Sequence, residues 1–126
     1  MNRKQQFYLE CDLFLGKSSS EIKEIFFEVK EHTLALNAEL FEQINKSMLT
    51  IKTKGRSRAR GVIWLEPAVN YLKIYFTKGK YHSNLFEIFP NGWGGYPYIK
   101  VNPENYNIEQ ILKLNSVALE RIQAIL

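Results

Sequence analysis

Apolar residues recur at steps of three and four in two long stretches of the chain, and alternate with polar ones in four short runs between them. Ile22, Ile25, Phe26, Val29, Thr33 and Leu36 fall on one side of a helix with 3.6 residues per turn. Before them, Ser18-Ser19-Ser20-Glu21 sets a glutamate three residues after Ser18, the spacing at which the two side chains satisfy free backbone donors at a helix start. The pattern predicts a helix over about 19–36, ended at Asn37. Ile108, Ile111, Leu112, Asn115, Leu119, Ile122 and Leu126 trace a second stripe and predict a closing helix from 107 or 108 to the C-terminus. A shorter stripe, Phe7, Cys11, Phe14 and Leu15, predicts a helix over 3–15 that Gly16 ends.

Met48–Thr53, Val62–Glu66, Tyr71–Thr77 and Tyr98–Asn102 alternate and are rich in β-branched and aromatic residues, so each predicts a strand. Pro67 closes the second, and Pro67-Ala68-Val69-Asn70 is short enough to join the second and third as an antiparallel hairpin. Pro103 stops the fourth. Ala38–Ile44 reads as a linker or a further short turn of helix. No repeat or low-complexity stretch divides the chain, so residues 1–126 are expected to form a single domain with one core. The expected architecture is α+β in two layers: an antiparallel sheet of four to five strands with the N- and C-terminal helices packed on one face. Alternation assigns Leu49, Ile51, Ile63, Leu65, Leu72, Ile74 and Phe76 to the covered face. Met48, Thr50, Lys52, Val62, Trp64, Tyr71, Lys73, Tyr75, Tyr98 and Lys100 go to the other. Ile25, Phe26, Val29, Leu112, Leu119 and Ile122 are the helix residues expected to complete the core.

Composition supports folding throughout. A chain of 126 residues can bury one core without disulfides or a structural metal, and 45% apolar with 13% aromatic content excludes a disordered chain. Cys11 is the single cysteine and cannot form an internal disulfide. With no signal peptide, lipidation motif or long uncharged apolar run, a cytoplasmic protein outside the membrane is expected. Seventeen Lys and Arg against thirteen Asp and Glu give a net charge of +4, and its distribution matters more than its size. Glu21, Glu24, Glu28, Glu31, Glu39 and Glu42 lie early, whereas Lys46 to Lys80 holds many cations and Glu66 alone among acids.

The densest charge lies in Lys52–Arg60, where Lys52, Lys54, Arg56, Arg58 and Arg60 put five cations into nine residues with no carboxylate among them. Such a loop at a sheet rim can neutralise phosphates, each contact releasing counterions; its other role would be a solvated hairpin loop. Trp64, Tyr71, Tyr75 and Tyr98, with Lys73 and Lys100, are similar in kind to platforms on which unpaired bases stack, and equally to the rings of a dimer interface. No RNP-type sequence is present. Asn91–Tyr98 combines glycines with rings and is expected to fold back over a sheet edge, with a pocket wall as the alternative. It leads into a strand, whereas a phosphate cradle leads into a helix.

Catalytic signatures are missing. Gly16-Lys17-Ser18 matches the end of a phosphate-binding loop, but Cys11 stands where its first glycine belongs and no strand precedes it. His32 and His82 are isolated, Asp12 is the single aspartate, and Glu66 has no second acid or nucleophile beside it. No catalytic residue, metal or cofactor is expected.

Phe14-Leu15-Gly16-Lys17-Ser18 before the long helix, the strand over Lys46–Lys52, Tyr71-Leu72-Lys73-Ile74-Tyr75-Phe76, and Gly92-Trp93-Gly94-Gly95-Tyr96 occur in an order that resembles a small bacterial domain. That domain is often labelled a predicted transport protein and is found alone or appended to nuclease-related and other DNA-processing proteins. The chain departs from it in having Met48-Leu49-Thr50-Ile51 where the family has an aromatic strand, and in the basic loop that follows. The resemblance implies a fold and a DNA-linked neighbourhood, and carries over no catalytic residue.

These features lead to the expectation of a non-catalytic binding module that engages nucleic acid through residues 52–60 and the ringed sheet face. Its candidate residues are Lys46, Lys52, Lys54, Arg56, Arg58, Arg60, Trp64, Tyr71, Lys73, Tyr75 and Lys100. A protein-interaction or oligomerisation domain using the same face, against a protein partner or in a homodimer, is the alternative. A small-ligand binder or enzyme at the Trp93 loop is a second.

Overall fold

The structure, a computed structural model, describes residues 15–45, 47–54, 60–77 and 89–125. The helix expected over 3–15, apart from Leu15, lies outside the described residues, as do Lys46, Arg56, Arg58 and His82. Helix α1 spans Ser20–Leu34. Among the described residues five strands follow, β1 Leu40–Ile44, β2 Leu49–Thr53, β3 Arg60–Pro67, β4 Leu72–Phe76 and β5 Tyr98–Val101, and then helix α2, Ile108–Ile125. The sheet order is β1-β2-β3-β4-β5 with every neighbouring pair antiparallel, and both helices share one core with the inner face of the sheet. This is the α+β architecture that the periodicities predict.

The start of α1 differs from the serine-glutamate pairing predicted for Ser18. Ser19 is the cap, its hydroxyl accepting from the Ile22 N–H at 3.2 Å. Ser18 instead donates to the Ala68 carbonyl at 2.6 Å, and the Ser19 N–H reaches the Val69 carbonyl at 3.0 Å. The serine run thus ties α1 to the turn between β3 and β4, where Ala68 N–H donates to the Tyr71 carbonyl at 2.8 Å.

Strand β1 corrects the reading of Ala38–Ile44 as linker or helix. Leu40, Glu42 and Ile44 pair with Thr53, Ile51 and Leu49, so all three share the helix-facing side of the sheet. A glutamate there is met from α1: Lys30, 5% exposed, places Nζ 3.2 Å from Glu42 and 3.0 Å from Glu31. Burial works against the charge on Lys30, yet the two carboxylates outweigh it and hold its pKa above the usual lysine value.

Leu49, Ile51, Ile63, Leu65, Leu72, Ile74 and Phe76 are fully buried, as alternation requires, beside Ile22, Phe26 and Val29 of α1. On α2 the buried stripe is Ile111, Leu114, Asn115, Ala118, Leu119 and Ile122. Leu112, expected in the core, is half-buried, because it stands about 100° around the helix from Ile111 and so at the stripe's margin. Val62 also departs from its expected outward position and is 1% exposed within the core cluster. The cause is a β-bulge: Ile51 pairs with Ile63 but Lys52 with Gly61, which leaves Val62 as the extra residue of β3.

Candidate functional site

The face of the sheet away from the helices carries a cross-strand row, Thr50, Trp64, Tyr75 and Tyr98, each paired with the next. Beside it runs a second row, Glu66, Lys73 and Lys100. The bulge turns Gly61 to this outer side with Lys52, and the Trp64 ring lies back over it.

The row of rings is not open. The segment before β5 is folded by Gly92 N–H donating to the Tyr96 carbonyl at 2.9 Å and Tyr98 N–H to Pro90 at 3.1 Å. Between them, Trp93–Gly95 forms a 3-10 turn in which Gly94 and Gly95 take φ of 64° and 79°, a conformation that glycine adopts without strain. Gly92 lets the turn settle against the sheet, since a β-carbon there would stand 2.9 Å from the Tyr98 ring and 3.0 Å from Tyr75. Tyr96 then packs on Trp64 at 4.7 Å between centroids. Trp93 stacks on Tyr96 at 5.2 Å and 22°, and meets Trp64 and Tyr75 edge-on at 6.2 Å each. The predicted exposure of Trp64 and Tyr75 is therefore corrected: Tyr75 is 3% exposed, Trp64 half-buried, and the covering segment reaches past the sheet edge onto β3 and β4. The exposed ring is Trp93 itself, at 56%. Its glycine-rich context had marked it as a cover and left the outer surface of that cover unread.

The lysines of the second row are held by ring faces. Lys73 Nζ lies 4.7 Å from the Tyr98 centroid and 5.8 Å from Tyr75, and Lys100 Nζ lies 4.8 Å from Tyr71. Glu66, the one carboxylate that the described strands turn to this side, accepts a hydrogen bond from the Tyr75 hydroxyl at 3.2 Å. Burial first, then Glu66, raises the Tyr75 phenol above its usual pKa. Burial opposes the Lys73 charge, but Tyr75, Tyr98 and Glu66 around it leave the ammonium pKa raised, so it is cationic at neutral pH.

The ends of the basic run diverge. Lys52 is half-buried on the outer face and Lys54 is exposed, whereas Arg60 pairs with Thr53 and is directed to the helix side, with its Nε buried. The structure thus gathers Lys52, Trp64, Tyr71, Lys73, Tyr75 and Lys100 on one face and sets Arg60 apart from them. A feature that the pattern of residues did not reveal is a cleft of about 540 Å³ between β5 and the start of α2, floored by Ile99, Val101, Ile111 and Leu114 and rimmed by Phe89, Asn107 and Gln110. Among the described residues no three His, Cys, Asp or Glu side chains group as a metal site, and no helix is long and apolar enough to cross a membrane.

Compared with protein-family models, with curated proteins and with solved structures, the chain matches none.

Proposed function

We propose that this protein is a non-catalytic, cytoplasmic module that binds nucleic acid through the outer face of its sheet. The carrying observation is the pair Lys73 and Lys100, each lying over a tyrosine ring on the face that the helices leave uncovered. A ring contact favours the rotamers that hold each ammonium over this face, and Glu66, which would oppose a phosphate, is engaged by Tyr75. Lys52 extends the positive field toward β2, and Arg56 and Arg58 follow it closely in sequence. The neighbourhood of DNA-processing proteins implied by the family resemblance agrees with this reading.

Titration of labelled oligonucleotides at two salt concentrations tests it. Binding is expected to weaken with salt, with a slope of about 0.7 to 0.9 per phosphate contacted, and Lys73→Ala with Lys100→Ala is expected to lower that slope by up to about 2. No binding at low salt would overturn the reading in favour of a protein-interaction face, which light scattering at two protein concentrations would then examine for self-association.

A further inference from the structure

Trp93 combines two properties that are seldom found together. The residue is 56% exposed, yet its ring makes three aromatic contacts and it sits on a turn whose two glycines have positive φ. One flat side lies on Tyr96 and an edge rests on Trp64 and Tyr75, so the surface left to solvent includes the opposite flat side. On the neighbouring turn, a β-carbon at Gly95 would meet nothing within 4 Å. Beneath it Tyr75 is buried and Trp64 half-buried, so Trp93 is the ring that offers a flat side at this point of the sheet.

The charge around Trp93 identifies the planar group. Tyr75 is flanked by Trp93 at 6.2 Å and by the Lys73 ammonium at 5.8 Å from its ring centre, so an exposed π-face and a cation border one ring. A flat aromatic group joined to an anionic backbone suits both. In a duplex the base faces are taken up by their neighbours, and only a strand with unpaired bases presents one.

We infer that the outer face takes single-stranded nucleic acid, with one unpaired base stacked on Trp93 and its phosphates on Lys73. The inference rests on the nucleic-acid reading above and adds the state of the strand and the residue that selects it. Stacking tolerates any base, so the preference is for strandedness and not for sequence.

The test uses the full chain with Trp93→Ala and Trp93→Phe, and single-stranded DNA, single-stranded RNA and duplex DNA of equal length at low salt. Trp93→Ala is expected to weaken single-strand binding about ten-fold or more and to change duplex binding less than about two-fold, while the ring contacts it loses lower the urea midpoint without unfolding the chain. Trp93→Phe should keep most of the affinity while losing most of the quenching of tryptophan fluorescence by the single strand, since Trp64 is half-buried beneath Tyr96. The DNA and RNA arms show which sugar is accepted. Equal losses on single strand and duplex, or no loss on either, would overturn the single-strand inference and leave salt-dependent binding standing. If no nucleic acid binds the unaltered chain at low salt, both readings fall.

Discussion

Gly61 lies directly beneath the Trp64 ring, where a β-carbon would stand 2.6 Å from Cζ2. The hollow left by the missing side chain lets the indole lie along β3, and Tyr96 and Trp93 pack in turn against it. Gly61→Ala should push Trp64 outward and cost about 1 to 3 kcal/mol through overpacking. A urea melt reads the cost, and a changed near-ultraviolet circular dichroism band reads the disturbed rings.

The two helices are joined by a buried polar relay, Asn115 Nδ2 donating to the Thr33 hydroxyl at 2.8 Å and that hydroxyl donating to the Val29 carbonyl at 2.6 Å. Thr33→Ala removes the acceptor of a buried amide and should destabilise by about 1 to 3 kcal/mol. Thr33→Val combined with Asn115→Leu removes both partners and should recover most of that loss. A thermal melt in which the pair is no better than Thr33→Ala alone would refute the relay's net cost.

Alkaline stability should be governed by groups whose pKa values rise on folding. Burial, then Glu28, holds the Tyr106 phenol well above its usual value, and the carboxylates around Lys30 raise that ammonium despite its burial. Both groups retain protons in the folded state that the unfolded chain gives up. Their contribution is therefore complete below the ordinary values of 10.0 and 10.5 and is lost as pH rises beyond them. Denaturant melts from pH 8 to 11 should show falling stability above pH 10 for the unaltered chain and a shallower fall for Tyr106→Phe.

Core and margin should separate cleanly. Ile74→Ala, at a residue with no exposure, should cost about 2 to 5 kcal/mol, Leu112→Ala clearly less, and Lys54→Ala under about 0.5 kcal/mol. Equal losses for Ile74 and Leu112 in urea would contradict the placement of the α2 stripe.

Both helices and strands β2 to β5 were legible in the sequence, because apolar spacing of 3.6 or 2 is imposed by burial on one side. Strand β1 was hidden by Glu42, an inward charge that reads as exposed until Lys30, twelve residues earlier on another element, neutralises it. The bulge was not legible, because alternation begins at Val62 and leaves Gly61 outside the predicted strand, and only the pairing with β2 shows which residue is displaced. Lys73, Tyr75 and Lys100 fell on the face that alternation gave them. That Tyr75 is covered and Trp93 open depends on how a loop beginning some fifteen residues later folds back, a long-range packing outcome that no local spacing encodes.

The bulge also gives β3 slack of one residue beside the basic run. In a regular strand a deletion turns over every side chain beyond it, or breaks the pairing. Loss of Val62 would instead let the ladder close up as Ile63 with Ile51, Gly61 with Lys52 and Arg60 with Thr53, the pairs that already exist. The deletion would forfeit one buried valine and leave Lys52 and Arg60 each on its own side, so β3 can lose a residue at this point without rewriting the sheet.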